Sequence, residues 1–189
     1  YLLFTPFLLL TAWLLTLGVD DPSKDFSYEL DVQNRVIEPK KDEDGNEYAI
    51  VGTNQGTSIF DLSNPTNPQE VFFEQGMNST WRDIKTYGDY AYVTTEAQNG
   101  LLIIDLSPLP SSNDLTTFYY YGSSTGNWQS AHNLYIDDRG YAYIFGANRG
   151  NGGCIILDLN QNPTNPVQIG IIDNWYVHDG MVKDDGIIS

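Results

Sequence analysis

The chain has 189 residues, with 25 acidic against 9 basic side chains and a formal charge of −16, and its sequence pI is near 4.1. One domain fits that length, and the acid excess excludes nucleic acid as a partner, because a phosphate backbone is held by clustered Lys and Arg that this sequence lacks. With 13% aromatic residues, there is enough large apolar surface to offset the entropy of ordering the chain, which excludes a disordered protein.

Residues 1–19 (YLLFTPFLLLTAWLLTLGV) carry no charge and are rich in Leu, and the first charges are Asp20 and Asp21. The stretch has no polar face and is interrupted by Pro6, so it reads as a clipped secretory signal peptide or a membrane anchor, with a linker over 20–27 behind it. The protein is therefore expected outside the cell or on its surface. The triplet Asn78-Ser79-Thr80 is compatible with export and makes Asn78 a candidate glycosylation site. Cys154 is the one cysteine, so the chain forms no internal disulfide; within GGCIILDL it reads as a small buried hydrophobe.

Downstream the chain repeats itself. EYAIVGTNQGTSIFDLSNPTNPQEVFFEQG from Glu47, DYAYVTTEAQNGLLIIDLSPLP from Asp89 and GYAYIFGANRGNGGCIILDLNQNPTNPVQIG from Gly140 share an aromatic-rich strand, a turn, and an apolar strand closed by Asp-Leu. The anchors are Tyr48, Tyr90 and Tyr141, then Asp61, Asp105 and Asp158. Period-two stretches, with Gly and Asn at the joints, predict strands. A further strand precedes each Tyr anchor (82–86, 132–136) and another follows the Pro-rich turn (69–74, 167–172), which makes four strands per repeat. Asn-Pro-Thr-Asn-Pro, at Asn64 and again at Asn162, is expected to link third to fourth strand, because Pro cannot donate to a central ladder. Four-stranded repeats of this length predict the blades of a β-propeller.

The run FDLSNPTNPQEV, then STWRDIKTYGDYAYVTTEAQNGLLIIDLS, SAHNLYIDDRGYAYIFGA, GGCIILDLNQNPTNPV and YVHDGMV, resembles the choice-of-anchor B family of exported proteins, whose blades carry the LVIVD repeat. The resemblance implies a β-propeller on an exported or surface-attached protein, its anchor lying toward the carboxyl end. The sequence stops at Ser189, soon after a fourth repeat opens at His178, and so is expected to be a fragment. The expected fold is thus all-β: a partial LVIVD-type β-propeller over 28–189, incomplete, with about three blades plus the start of a fourth. Those blades are expected over about 28–76, 81–122, 131–172 and 177–189. Membrane contact would come only through the amino-terminal segment or a missing carboxyl-terminal anchor.

Laying the first strands in register gives a polar column: Leu30-Asp31-Val32, Arg82-Asp83-Ile84, His132-Asn133-Leu134 and His178-Asp179-Gly180. In a propeller this column becomes a ring around the axis, and both histidines of the chain fall on equivalent positions. Arg82, Asp83, His132, Asn133, His178 and Asp179 are therefore the candidate ligand-binding residues. Asp31, Asp83, Asn133 and Asp179 offer oxygen ligands to a divalent cation, and the histidines offer imidazole. Alternatively, a short carboxylate or amide there hydrogen-bonds the backbone of the next blade. Adjacent strand residues point opposite ways, so the Asp/Asn and Arg/His sets are expected on different faces. Asp42-Glu43-Asp44-Gly45-Asn46-Glu47 lacks the spacing of a calcium loop and reads as a hairpin turn. Trp81 and Trp128 flank the column strands and are expected to serve packing, with an aromatic rim for a sugar or peptide as the alternative.

Two functions fit these residues. The first is a non-catalytic binding or scaffolding module whose partner is a surface protein or glycan. The alternative is a metal-dependent, hydrolase-like enzyme with its site at the mouth of the central channel. No G-x-S-x-G, P-loop, H-E-x-x-H or dinucleotide fingerprint is present, which favours the first.

Overall fold

Short, apolar, Tyr-anchored runs separated by Gly and Asn turns build three successive four-stranded antiparallel sheets in the computed structural model, which describes residues 37–183 apart from 43 and 125. The segment 1–19, the linker 20–27 and Asp31 lie outside the described residues. The first sheet runs β1 (Ile37–Lys41), β2 (Glu47–Gly52), β3 (Gly56–Asp61), β4 (Gln69–Gln75). The second runs β5 (Arg82–Tyr87), β6 (Tyr90–Thr95), β7 (Leu101–Asp105), β8 (Thr117–Tyr120). A small ribbon of β9 (Gly122–Ser123) and β10 (Gly126–Asn127) follows. The third sheet runs β11 (Asn133–Ile136), β12 (Tyr141–Phe145), β13 (Cys154–Asp158), β14 (Val167–Ile172).

The repeat anchors hold equivalent places. Tyr48, Tyr90 and Tyr141 pair with Asp61, Asp105 and Asp158 across the two central strands of each sheet. Each of these Asp side chains then turns the chain out of its strand, accepting from the backbone N–H of Ser63 (2.7 Å), Ser107 (2.9 Å) and Asn160 (2.9 Å). The two Asn-Pro-Thr-Asn-Pro segments join β3 to β4 and β13 to β14, and in each the first Asn accepts from the Thr two residues on through both backbone N–H and hydroxyl.

Sheets stack face to face. Ala91, Val93, Leu102 and Ile104 of the second sheet meet Tyr48, Ile50 and Ile59 of the first. On its other face, Tyr92, Leu101 and Ile103 meet Leu134, Ala142, Ile144, Ile155 and Leu157 of the third. Burial on both faces explains why LLIID carries no polar alternation. The inner strands neighbour one another in order, β5 touching both β1 and β11. That is the arrangement of consecutive propeller blades, and the three sheets are an incomplete propeller, since closure takes about four to eight.

Side chains also tie the blades together: Glu38 of β1 accepts from the Thr86 N–H (3.3 Å), the Lys40 ammonium donates to the Gly88 carbonyl (2.6 Å), and the Tyr119 hydroxyl donates to Glu74 (2.7 Å).

One expectation about strands needs correction. The inner strand of the first blade is β1, five residues at Ile37–Lys41, and not the run around Leu30-Asp31-Val32. Ile37 pairs with Val51 as Ile84 pairs with Val93 and Leu134 with Ile144, so Ile37 holds in β1 the place that Ile84 and Leu134 hold in β5 and β11. Beyond β14, the described residues 177–183 contain one bridge residue, Val182, and the rest of the expected fourth blade lies outside the described residues. Residues 177–183 lie against the outer face of the third blade, where Val177 and Val182 pack with Tyr143, Phe145 and Cys154.

Candidate functional site

The candidate residues gather where β5 and β11 begin, and each inner strand is held there by the blade before it. The Arg82 guanidinium, 6% exposed, donates from Nε to the Thr53 carbonyl (2.8 Å) and from Nη2 to the Met77 carbonyl (2.5 Å). Burial pulls its pKa below the ordinary value, and two carbonyl dipoles compensate the charge. One blade on, the Ala131 N–H donates to the Thr95 carbonyl (2.9 Å), and the His132 ring reaches Glu96. Thr53 and Thr95 close β2 and β6 at matching places, so the β2–β3 and β6–β7 loops play the same part in successive blades.

Asp83 is spent on the frame. Its carboxylate, 3% exposed, accepts from the Leu134 N–H across the blade boundary (3.0 Å), from the Ile84 N–H (3.0 Å) and from the Lys85 ammonium (3.0 Å). Asn133 opens β11 opposite Phe145 and is half-buried. Asp83 therefore does not join the histidines.

The histidines, distant in sequence, come together. His132, 6% exposed, is sandwiched: its ring centroid lies 4.6 Å from Trp81, nearly parallel, and 3.7 Å from His178 on the other side. Its Nδ1 is 2.7 Å from Glu96 Oε1, while Nε2 is buried without a hydrogen-bond partner among the described residues. His178 is exposed, its Nδ1 hydrogen-bonded to Asp179 Oδ2, with Tyr176 edge-on at 6.4 Å. His132, His178 and Asp179 each bring one donor atom within 4.8 Å of the others.

The expectation that the Asp and His positions face apart fails at His178-Asp179. That segment is not a strand, so the two-residue alternation does not apply and both side chains turn to the same side. Its position comes from its flanks. The Val177 N–H donates to the Gly152 carbonyl (3.0 Å), Gly180 lies so close to the Phe145 ring that a Cβ there would stand 2.7 Å from it, and Val182 is buried. Gly146, just after β12, does the same, leaving the space that a Cβ would take between the Tyr176 hydroxyl and His132.

Glu96 was not among the residues expected at the site. Its signal was the loop equivalence, since TTEAQNG follows the Tyr90 strand as GTNQG follows the Tyr48 strand. Trp128 is 1% exposed and packs edge-on against Tyr120, a core role, and Trp81 serves the stack. Asn78 is exposed in the segment between β4 and β5. Cys154 is 1% exposed, burial pushing its thiol up to about 12, so it stays an unreactive thiol in the core. The acidic Asp42 turn is a hairpin, in which Asp42 accepts from the Asn46 N–H (2.8 Å).

At the opposite end of β11 lies a groove of about 470 Å³ bordered by Tyr135, Asp137, Arg139 and Lys183. Burial disfavours charge on Asp137, but bonds from the Tyr141 N–H, the Arg139 guanidinium and the Tyr143 hydroxyl outweigh it and hold the carboxyl below its ordinary 3.8. A depressed carboxylate contributes stability above its unfolded value and loses it as pH falls through the folded one. The melting temperature of the native chain is therefore expected to fall as pH drops below 3.8, with a shallower acid dependence in Asp137→Asn; equal acid slopes in the two proteins would contradict this.

The LVIVD repeat family matches residues 45–73 and 80–119, which hold most of the first two blades. The third blade, outside the matched stretches, has the same strand order and anchors. A comparison with curated proteins finds no match.

Proposed function

We propose that this chain, whose first two blades match the LVIVD repeat, belongs to an exported or cell-surface propeller of the choice-of-anchor B type that acts as a non-catalytic binding and scaffolding module. Its partner is a surface protein or glycan. One observation carries the reading: the polar residues that open β5 go into the blade joints, with Asp83 holding the Leu134 N–H of the third blade and Arg82 holding the Thr53 carbonyl of the β2–β3 loop and the Met77 carbonyl of the link after β4. Such groups build a rigid rim and leave its outer faces to do the recognising. Export is supported by the uncharged, Leu-rich residues 1–19 ahead of an acidic domain.

The test uses the complete protein. Protease added to intact producing cells is expected to remove it, and the purified protein is expected to sediment with cell envelopes. Loss of sedimentation after protease treatment of the envelopes identifies a protein partner, and loss after periodate identifies a glycan. Turnover of chromogenic esters, phosphoesters or glycosides is expected at the level of buffer. Protection from external protease, or absence of sedimentation, overturns the proposal. Metal-dependent turnover abolished by His178→Ala would replace it with the hydrolase reading.

A further inference from the structure

We propose that His132, His178 and Asp179 bind one divalent transition metal ion of the zinc type, with Glu96 behind His132 as the carboxylate that orients it. The ion would fasten the segment after β14 to the start of β11.

His132 carries the argument. A carboxylate 2.7 Å from Nδ1 fixes the tautomer, because an imidazole facing a carboxylate presents N–H to it. The proton is then on Nδ1 and the lone pair is on Nε2. That Nε2 is the atom without a hydrogen-bond partner among the described residues, in a side chain 6% exposed. Buried polar atoms are almost always paired, so a buried lone pair held in place calls for an electrophile. The stack of Trp81 on one face and His178 on the other leaves the ring no freedom to turn away.

The neighbours complete a donor set. His178 and Asp179 each place a donor within 4.8 Å of the others and of His132. Tetrahedral zinc, with bonds of about 2.0–2.2 Å to nitrogen and oxygen, sets its ligands about 3.5 Å apart, so a small rearrangement of donors that already lie within 4.8 Å of one another completes the set. The mobile partners are the right ones: His178 and Asp179 are exposed, whereas His132 is locked. Two imidazoles and one carboxylate select zinc and its neighbours in the first transition row, and disfavour Ca²⁺ and Mg²⁺, which take oxygen. The chain has only two histidines, and both converge here. Its net charge of −16 also concentrates cations near the surface. The inference does not depend on what the blades recognise.

Untagged complete protein, stripped with chelator, is titrated with Zn²⁺ against a chromophoric competitor and separately with Co²⁺. The expected result is one ion per chain, the visible absorption of tetrahedral Co²⁺, and a melting temperature raised by Zn²⁺ but not by Ca²⁺. His178→Ala and Asp179→Ala, both at exposed positions and so expected to fold, lower Zn²⁺ affinity by at least about 100-fold and abolish the thermal shift. Glu96→Gln lowers affinity by about 10- to 100-fold while keeping one ion per chain, the mark of an orienting group. Absence of stoichiometric Zn²⁺ binding, or native affinity in His178→Ala, overturns the proposal.

Discussion

Gly153→Ala is expected to lower the stability of the chain by about 3 kcal/mol, and Gly56→Ala and Gly100→Ala to do the same in their own blades. These three glycines stand at the entry to the third strand of each sheet, at the start of β3 and just before β7 and β13. At each, a Cβ would collide with a backbone carbonyl oxygen of the fourth strand: Glu74, Tyr120 and Ile172 in turn. A flexible side chain yields to such a contact at small cost, but a strand carbonyl cannot move without carrying its ladder with it. Gly100 has the further burden of φ +68°, where a Cβ costs roughly 1–2 kcal/mol whatever the space. Gly170→Ala is the contrast. It lies inside β14, but its nearest neighbour would be the tip of Ile156 at 3.3 Å, so the change is expected to cost under about 1 kcal/mol. Urea unfolding of the four variants measures this, and a Gly153→Ala protein as stable as Gly170→Ala would show that the close approach is not what places these glycines.

The same residues explain what could be read before the structure. Strand number, strand order and the turns were legible because each blade repeats one set of local devices: a Tyr–Asp pair across the central strands, an Asp that caps the exit, and a Pro-rich link. Each acts within one repeat, so sequence displays it. The first inner strand escaped because β1 reads IEPKK, with a proline and three charged residues. Among the sheet strands it pairs with β2 alone, so the missing Pro39 donor is tolerated, and Glu38 meets β5 while Lys40 meets the turn after it. Those partners are distant in sequence and invisible in a window. Glu96 escaped for a similar reason, since its role exists only once the second blade's loop meets the third blade's first strand. The convergence of His132 and His178 followed from repeat equivalence, whereas the turn of Asp179 to the same side depends on tertiary anchors at Val177, Gly180 and Val182.

Asp83→Ala is expected to cost about 3 kcal/mol, with the loss concentrated at the joint between the second and third blades. Three donors share this carboxylate, but they do not suffer equally. The Lys85 ammonium keeps the Ile84 carbonyl at 2.9 Å, and its side chain is 31% exposed, so water replaces the lost partner. The Leu134 N–H has no such recourse, because that residue is 1% exposed and the bond at 3.0 Å comes from another blade. Leaving a buried donor unpaired costs about 1–3 kcal/mol, and the emptied volume adds to it. Lys85→Met should therefore cost under about 1 kcal/mol, while Asp83→Asn should fall between, since its amide keeps one acceptor oxygen but turns an N–H₂ toward a second donor. Hydrogen exchange supplies the local readout. In Asp83→Ala the Leu134 amide is expected to lose protection selectively, while Val93 and Ile103, in the centre of the second sheet, keep theirs relative to global unfolding. A Leu134 amide as protected as in the native chain would mean that the blades are held together by apolar packing alone, and that the buried carboxylate has some other purpose.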